Sequence, residues 1–469
     1  MKLKEIKFGI LLSSLLMIVS CSDDYLDVDS RAEIDAADIG EAIPPEQMVN
    51  GIYGMLTDWD YAFSYLGITE IISDNADKGS SASDTGTDKH QLDALEHTTT
   101  GPSIRSMWEH WYKSIGRASI AINYTENFGL TDQSYRDRLI GEAKFLRALN
   151  YFWLVRSFGD VPLQHVDYVV RQPKNDVYEF IEQDLLDAID MLPEKSEYSA
   201  SDLGRATKGA ARGLLAKVYM YHEKWQEAYN MATIVATDPQ YNLHPNYEEI
   251  WRASQENGVE SLFEVQARGE SIAHGVQQYS QTQGARGTGG WGWGFNTPSQ
   301  NLLNAFNAEG DVIRRDATII FAGETLWDGR QVSAAAENPM YNEKAYSSAN
   351  AGAGDGDKNV RILRYADVLL IQAEAALHIG EDAATPLNRV RNRVNLTPIN
   401  SPTFNDVWKE RRLELAFEHD RWFDLVRTGQ AQSAMAADGK TFVVGKHELF
   451  PIPDLQLVQT PEMTQNPGW

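Results

Sequence analysis

Cysteine is almost missing from this chain: 469 residues contain one, Cys21. No disulfide can form within such a chain, so core packing must hold the fold. Long hydrophobic runs are missing as well. The stretch from Phe8 to Val19 is apolar apart from Gly9, Ser13 and Ser14, and it falls short of the roughly 20 residues that span a bilayer. Positive charge is scarce, with 42 Lys and Arg against 67 Asp and Glu, a formal net charge of −25. Residues 1–20 carry Lys2, Lys4, Lys7 and Glu5, a net +2, so their removal leaves −27. A surface of that sign repels phosphate backbones, which argues against nucleic acid as a partner. It also gives no electrostatic grip on anionic lipid, so attachment to a membrane would need a covalent anchor.

Catalytic and cofactor signatures are missing too. His222-Glu223 and His447-Glu448 lack the second histidine of a zinc protease helix, and no G-x-S-x-G occurs. Gly204 to Gly209 has P-loop spacing, but Ala210 stands where lysine is needed. Asp355, Asp357 and Asn359 begin like an EF-hand loop, with Val360 in place of the required glycine. Gly287, Gly289 and Gly292 spell G-x-G-x-x-G, yet the residues before them are polar where a dinucleotide site needs a hydrophobic strand. We therefore expect no catalytic residue, no metal and no cofactor.

What is present begins at the N-terminus. Residues 1–20 have the charge and length of a secretory signal peptide. Ile18-Val19-Ser20-Cys21 resembles a bacterial lipoprotein cleavage box, with Cys21 as the lipidated first residue of the mature chain. Ser22-Asp23-Asp24-Tyr25-Leu26-Asp27 resembles the acidic signal that sends Bacteroidetes lipoproteins to the cell surface. Residues 21–45 read as a lipidated acidic tether, and 46–469 as the body.

Apolar residues then recur at three- and four-residue spacing, the mark of helices. A first helix follows Pro44-Pro45 through Met48, Ile52, Met55 and Leu56. Residues 73–103, rich in Ser, Asp, Thr and Gly, read as a long loop. A helix starts near Ile104, and the next, ending at Phe158, is apolar nearly all round from Phe145 and so buried and central. Another runs from Asn175 to Met191. Residues 206–239 read as two helices joined near Lys224, with small residues at Ala216, Ala228 and Ala232 and a closing Pro239 in the manner of a tetratricopeptide unit. Tyr365 to Val394 gives a similar hairpin. Helical repeats thus lie mainly in 104–239 and 360–428, with a loop-rich region at 240–359. Short strands are expected at Ser261 to Gln266 and Thr441 to Val444, and an extended tail at Leu449 to Trp469.

These residues carry a family likeness. The Cys21 segment, Glu142-Ala143-Lys144-Phe145-Leu146-Arg147-Ala148 with Phe158-Gly159-Asp160-Val161-Pro162, Arg364-Tyr365-Ala366-Asp367, Glu410-Arg411-Arg412-Leu413-Glu414 with Arg421-Trp422-Phe423-Asp424-Leu425, Pro451-Ile452-Pro453 and Gln465-Asn466-Pro467-Gly468-Trp469 resemble the SusD/RagB family of outer-membrane nutrient-binding lipoproteins. The resemblance implies a mostly α fold, in which tetratricopeptide-like hairpins support an irregular loop-rich face with a few short strands. It implies an oligosaccharide ligand, no catalysis, a SusC-like TonB-dependent outer-membrane transporter as partner with this chain as its lid, and a lipid anchor facing the cell exterior. Oligopeptide capture is the alternative, because the family name also covers a peptide importer. A surface glycoside hydrolase and a pure scaffold stand further off.

Two loops are candidate ligand sites. In Gly284 to Gln300, Trp291 and Trp293 stand i, i+2 and would share one side of a locally extended backbone, a platform for the C–H face of a sugar. Thr297 and Gln300 fit a capping box for the helix that follows, with Pro298 at its first position. In the loop Ser73 to Lys78, Asp74, Asn75 and Asp77 could hydrogen-bond sugar hydroxyls. Glu410, Glu414 and Glu418 line one helical face with Arg411 and Arg421 in reach, which points to a structural ion-pair network rather than a catalytic carboxylate pair.

Overall fold

The structure, a computed structural model, describes residues 43–469 apart from 82, 85–86, 165–169, 270–274 and 349–355. Cys21, the signal segment and the tether lie outside the described residues.

The expected helices form where the three–four spacing puts them, and two short ones that it does not predict, Trp59–Ala62 and Asp88–Asp93, join them. In chain order they are α1 (Pro45–Leu56), the single turn α2 (Trp59–Ala62), α3 (Asp88–Asp93), α4 (Pro102–Asn127), α5 (Gln133–Phe158), α6 (Lys174–Met191), α7 (Lys208–Tyr221) and α8 (Trp225–Thr237). α9 (Gln300–Glu309) lies within the irregular region, and after it come α10 (Tyr365–Ile379), α11 (Ala384–Arg393), α12 (Phe404–Glu414) and α13 (Arg421–Arg427). Each long helix packs on the next: α4 on α5, α5 on α6, α6 on α7, α7 on α8, α8 on α10, and α10 on α11. That succession of hairpins is the tetratricopeptide-like half. Because α5 is enclosed on several sides, residues Ala148 to Phe158 are all buried, polar Asn150, Arg156 and Ser157 included. Gly159, at φ +71°, ends it.

Among the described residues the strands form two-stranded antiparallel ribbons. β1 (Ala76–Gly79) pairs with β5 (Phe295–Pro298), β2 (Val161–Pro162) with β3 (Arg171–Gln172), β4 (Ser261–Val265) with β8 (Val360–Arg364), and β6 (Ile319–Phe321) with β7 (Met340–Asn342). α7 lies close on the β4–β8 ribbon: a Cβ on Gly213 would stand 2.4 Å from the Leu262 side chain.

Three expectations are corrected. Residues 73–103 are not one long loop, since they contain β1 and α3. Residues 441–444 form no strand, because a turn closes there: the Val443 N–H donates to His447 Nδ1 at 3.1 Å. The tail is not wholly extended but holds a helical turn and a half, Asp454–Gln459. The tail then works as a clasp. Asn466 Nδ2 donates to the carbonyls of Phe158, 2.9 Å, and Phe450, 2.7 Å, while the Phe450 N–H donates to Ser157 O at 2.8 Å. The end of α5 and the C-terminal motif are one structural unit.

Candidate functional site

The β1–β5 ribbon brings the two loops singled out by sequence together. Asp77 pairs with Thr297 and Gly79 with Phe295, and the Ser80 N–H donates to Gly294 O at 2.5 Å. Cross-chain pairing of this kind has no local signal, and it overrides the expected capping box. Thr297 and Pro298 are strand residues, and Ser299 caps α9, its side chain accepting from the Leu302 N–H at 3.1 Å.

Four half-buried rings gather beside the ribbon. The ring centroids of Trp293 and Trp59 are 5.6 Å apart and edge-on, those of Trp59 and Phe63 5.3 Å apart and stacked, those of Phe63 and Phe295 5.1 Å apart and edge-on. Lys89 Nζ stands 3.9 Å above the Phe63 ring. Such a row keeps ring surface in solvent while each ring is steadied by its neighbours, which is what stacking on a pyranose requires. Trp59 and Phe63 were missed by sequence reasoning. Their signal was an i, i+4 aromatic pair flanked by Asp58 and Asp60, just past a legible helix.

Trp291 does not share a floor with Trp293. Its ring meets Tyr346 edge-on at 5.5 Å, with the Arg330 guanidinium 5.1 Å from the ring centre. Trp327 belongs to the same second group, 6.2 Å from Tyr346 and 51% exposed, with Arg252 stacked 4.0 Å over it. The backbone between the two tryptophans is not extended: the Trp291 N–H bonds Ala285 O and the Trp293 N–H bonds Gln281 O, each at 2.8 Å. The i, i+2 geometry therefore does not apply.

Asp74, Asn75 and Asp77 separate as well. Asp74 is 1% exposed and forked to Arg421, whose Nε and Nη2 donate to Oδ1 and Oδ2 at 2.7 and 2.8 Å. Arg412 stands 3.1 Å from Oδ2 and also donates to Asn75 Oδ1, from Nε, at 2.8 Å. Burial raises the Asp74 carboxyl, but Arg421 and Arg412 outweigh it and hold it at about 2. Asp74 and Asn75 are thus buried and brace the start of β1 from the inside. Asp77 alone is exposed. It stands at a cleft of about 640 Å³ with His90, Asp93, Glu96, Lys440 and His447. Partial burial and then the Asp93 carboxylate push Asp77 up to about 6, with Lys440 opposing.

The glutamates of α12 are the interior ion-pair network expected of them, with different partners. Glu414 is met by Arg314 at 3.1 Å, Arg364 at 3.0 Å, and Arg393. Glu410 is met by Arg314 and Arg391, each at 2.7 Å, and Glu418, past the end of the helix, by Arg364 at 2.6 Å and Lys344 at 2.7 Å. Arg411 turns instead to Asp367 at 2.8 Å and Asp424 at 3.1 Å, and Arg421 to Asp74.

Comparison with known proteins fits this architecture. The model of the family described as the SusD family matches residues 259–469, and that described as "Starch-binding associating with outer membrane" matches residues 24–220. The SusD-like protein P2 of Formosa agariphila is 28% identical over the whole of both chains. The starch-binding protein SusD of Bacteroides thetaiotaomicron is 24% identical over 73% of this chain and 74% of its own. The solved structure of a laminarin-binding SusD-like protein matches with a TM-score of 0.78 and 28% identity, covering 91% of this chain and 99% of its own. The chain belongs to the SusD family. Among the described residues, no helix is long and apolar enough to cross a membrane.

Proposed function

We propose that this SusD-family chain captures oligosaccharides at the outer face of the cell and delivers them, as a lid, to a SusC-like TonB-dependent transporter. The observation that carries the reading is the row of half-buried rings from Trp293 through Trp59 and Phe63 to Phe295. Partly exposed rings offer apolar surface for stacking on a sugar, and the cleft at Asp77 supplies carboxylates and an ammonium for hydroxyl groups. In this reading Trp293 and Asp77 touch the ligand, Trp291 with Trp327 forms a second stacking surface, and Asp74 and Asn75 keep the ribbon in place. The names of the laminarin-binding and starch-binding relatives support a glucan as the first ligand to try.

Capture proceeds without cleavage. Glu410, Glu414 and Glu418, the carboxylates that line one face in the sequence, are each bonded to guanidinium in the interior and are unavailable as an acid–base pair. In this reading Cys21 carries the lipid that holds the body at the membrane, as the cleavage-box resemblance of Ile18-Val19-Ser20-Cys21 supports.

A panel of starch-type and laminarin-type oligosaccharides, run beside a peptide library on the purified body, tests the reading. Binding to at least one glucan, with no new reducing ends after incubation, is the expected result. Peptide binding alone, or turnover abolished by one carboxylate substitution, overturns it. Cys21→Ala should release the chain from outer-membrane fractions and abolish incorporation of labelled palmitate.

A further inference from the structure

We infer a site for a divalent transition-metal ion, of the Zn²⁺ class, at Asp58, Asp60 and His110. One carboxylate oxygen of each aspartate and one imidazole nitrogen lie within 4.8 Å of one another. Asp58 caps α2 and Asp60 sits in its first turn, while His110 reaches over from α4, so two elements converge on one point.

The histidine is the informative member. It is 7% exposed, and its Nε2 lies 2.8 Å from the Met55 carbonyl. A carbonyl can only accept, so Nε2 carries the proton and Nδ1 keeps the lone pair. Ligating histidines are oriented in this way, one nitrogen held by a backbone carbonyl and the other offered to the ion. Among the described residues Nδ1 has no hydrogen-bond partner.

The aspartates have capacity to spare. Asp58 Oδ1 accepts the Asp60 N–H at 3.1 Å and Asp60 Oδ1 accepts the Ser64 hydroxyl at 2.7 Å, which leaves each a second oxygen. Neither has an ion-pair partner among the described residues, whereas the carboxylates of α12 are saturated with guanidinium. Zinc–ligand bonds of about 2.0–2.2 Å put ligand atoms about 3–3.5 Å apart, so side chains now within 4.8 Å of one another must draw together on binding. Imidazole beside carboxylate favours Zn²⁺ over Ca²⁺, which takes all-oxygen shells. Three protein donors leave a position open to water. Trp59 lies between the two aspartates, so a bound ion would fix the turn that carries this ring. The site does not depend on the glycan reading.

Titration calorimetry of the full chain with Zn²⁺ and with Ca²⁺, in the absence of sugar, tests it. Asparagine caps a helix as well as aspartate does, so Asp58→Asn should keep the metal-free melting temperature. Asp60→Asn serves if that variant does not fold. The wild type should bind one equivalent of Zn²⁺ saturably and more tightly than Ca²⁺, and the variant should bind it about tenfold or more weakly. Equal Zn²⁺ binding by variant and wild type, absence of a saturable Zn²⁺ event, or tighter Ca²⁺ binding would overturn the inference.

Discussion

Around Glu414, three guanidiniums close on one carboxylate with no solvent beside them; at the β1–β5 ribbon, four half-buried rings stack or meet edge-on. The first region spends charge on architecture, and the second keeps apolar surface open. The residues that made the family legible belong to the first. Arg364, Asp367, Glu410, Arg411, Glu414, Arg421 and Asp424 are all buried ion-pair partners, and Asn466 is a buried clasp. A recognisable motif here marks the scaffold, and the proposed ligand surface lies in segments without one.

If that division holds, the largest effect belongs to the ionic interior. Removing one partner from a buried network leaves its neighbours charged and unpaired, at a cost of about 3–5 kcal/mol. Glu414→Ala takes a shared carboxylate from Arg314, Arg364 and Arg393 at once, leaving more buried positive charge than the remaining glutamates balance, and should produce a chain that unfolds early in denaturant or fails to fold. A midpoint within experimental scatter of wild type would mean that the network is dispensable and the contrast false.

The interior can be divided further by pH. Asp74 and Glu70 are four residues apart, both buried, and respond oppositely. Asp74 is held ionised by two guanidiniums, so its contribution is complete above about pH 4 and is lost as pH falls toward about 2. Glu70 has no such partner. Burial pushes it from 4.5 up to about 8; the His419 N–H that it accepts and Lys344 oppose this, while Asp420 and Glu418 add to it. His419, itself driven down to about 3 by burial, supplies no positive charge. A carboxyl whose folded value is raised favours folding below its unfolded value and loses that stability as pH rises through the folded one. Glu70→Gln keeps an acceptor for the His419 N–H and cannot ionise. It should match wild type near pH 5 and exceed it by about 2 kcal/mol at pH 8.5 in parallel melts. Identical pH profiles for the two proteins would show that Glu70 is not protonated in the fold.

The ring row should give the reverse pattern, binding lost and stability kept. Trp293→Ala or Trp59→Ala is expected to lower glucan affinity ten- to hundredfold, about 1–3 kcal/mol, with a melting temperature close to wild type because the rings are only half buried. Trp291→Ala should affect affinity less, since its ring belongs to the separate Tyr346 group. Unchanged binding in Trp293→Ala, or lost binding with a collapsed melt, would move the site elsewhere.

Local periodicity explains how far the sequence could be read. The stripe through Met107, Trp111, Ile115 and Ala118 marks α4, and the all-round apolar run ending at Phe158 marks the enclosed part of α5, because a helix is specified by neighbours three and four residues away. The β1–β5 ribbon joins residues more than 200 positions apart, so nothing near Thr297 shows that it pairs with Asp77. The same distance misled the reading of Asp74. A short polar loop looks solvated until Arg412 and Arg421 arrive from the far end of the chain. Gly294 at φ +72° and Asn296 at φ +55° then bend the segment in which two tryptophans had been placed side by side.

The smallest expected effect concerns Asp77, the one polar ligand candidate of the first loop left at the surface. A single hydrogen-bonding group contributes about 0.5–1.5 kcal/mol, so Asp77→Asn should weaken glucan binding only a few-fold. Its pH dependence is more telling than its size. With the carboxyl at about 6, raised by partial burial and by Asp93, the ionised form prevails above that value and the neutral form below it. A carboxylate accepts at both oxygens, whereas a neutral carboxyl donates at one, so wild-type affinity should fall as pH drops from about 7 to about 5. Asp77→Asn has no charge to lose and should be flat over the same range, while Trp293→Ala should keep the wild-type slope at lower overall affinity. Titrations of the three proteins at pH 5, 6 and 7 with one glucan separate the ring contribution from the carboxylate contribution. A flat wild-type profile, or an unaltered slope in Asp77→Asn, would remove Asp77 from the site and leave the rings to carry it.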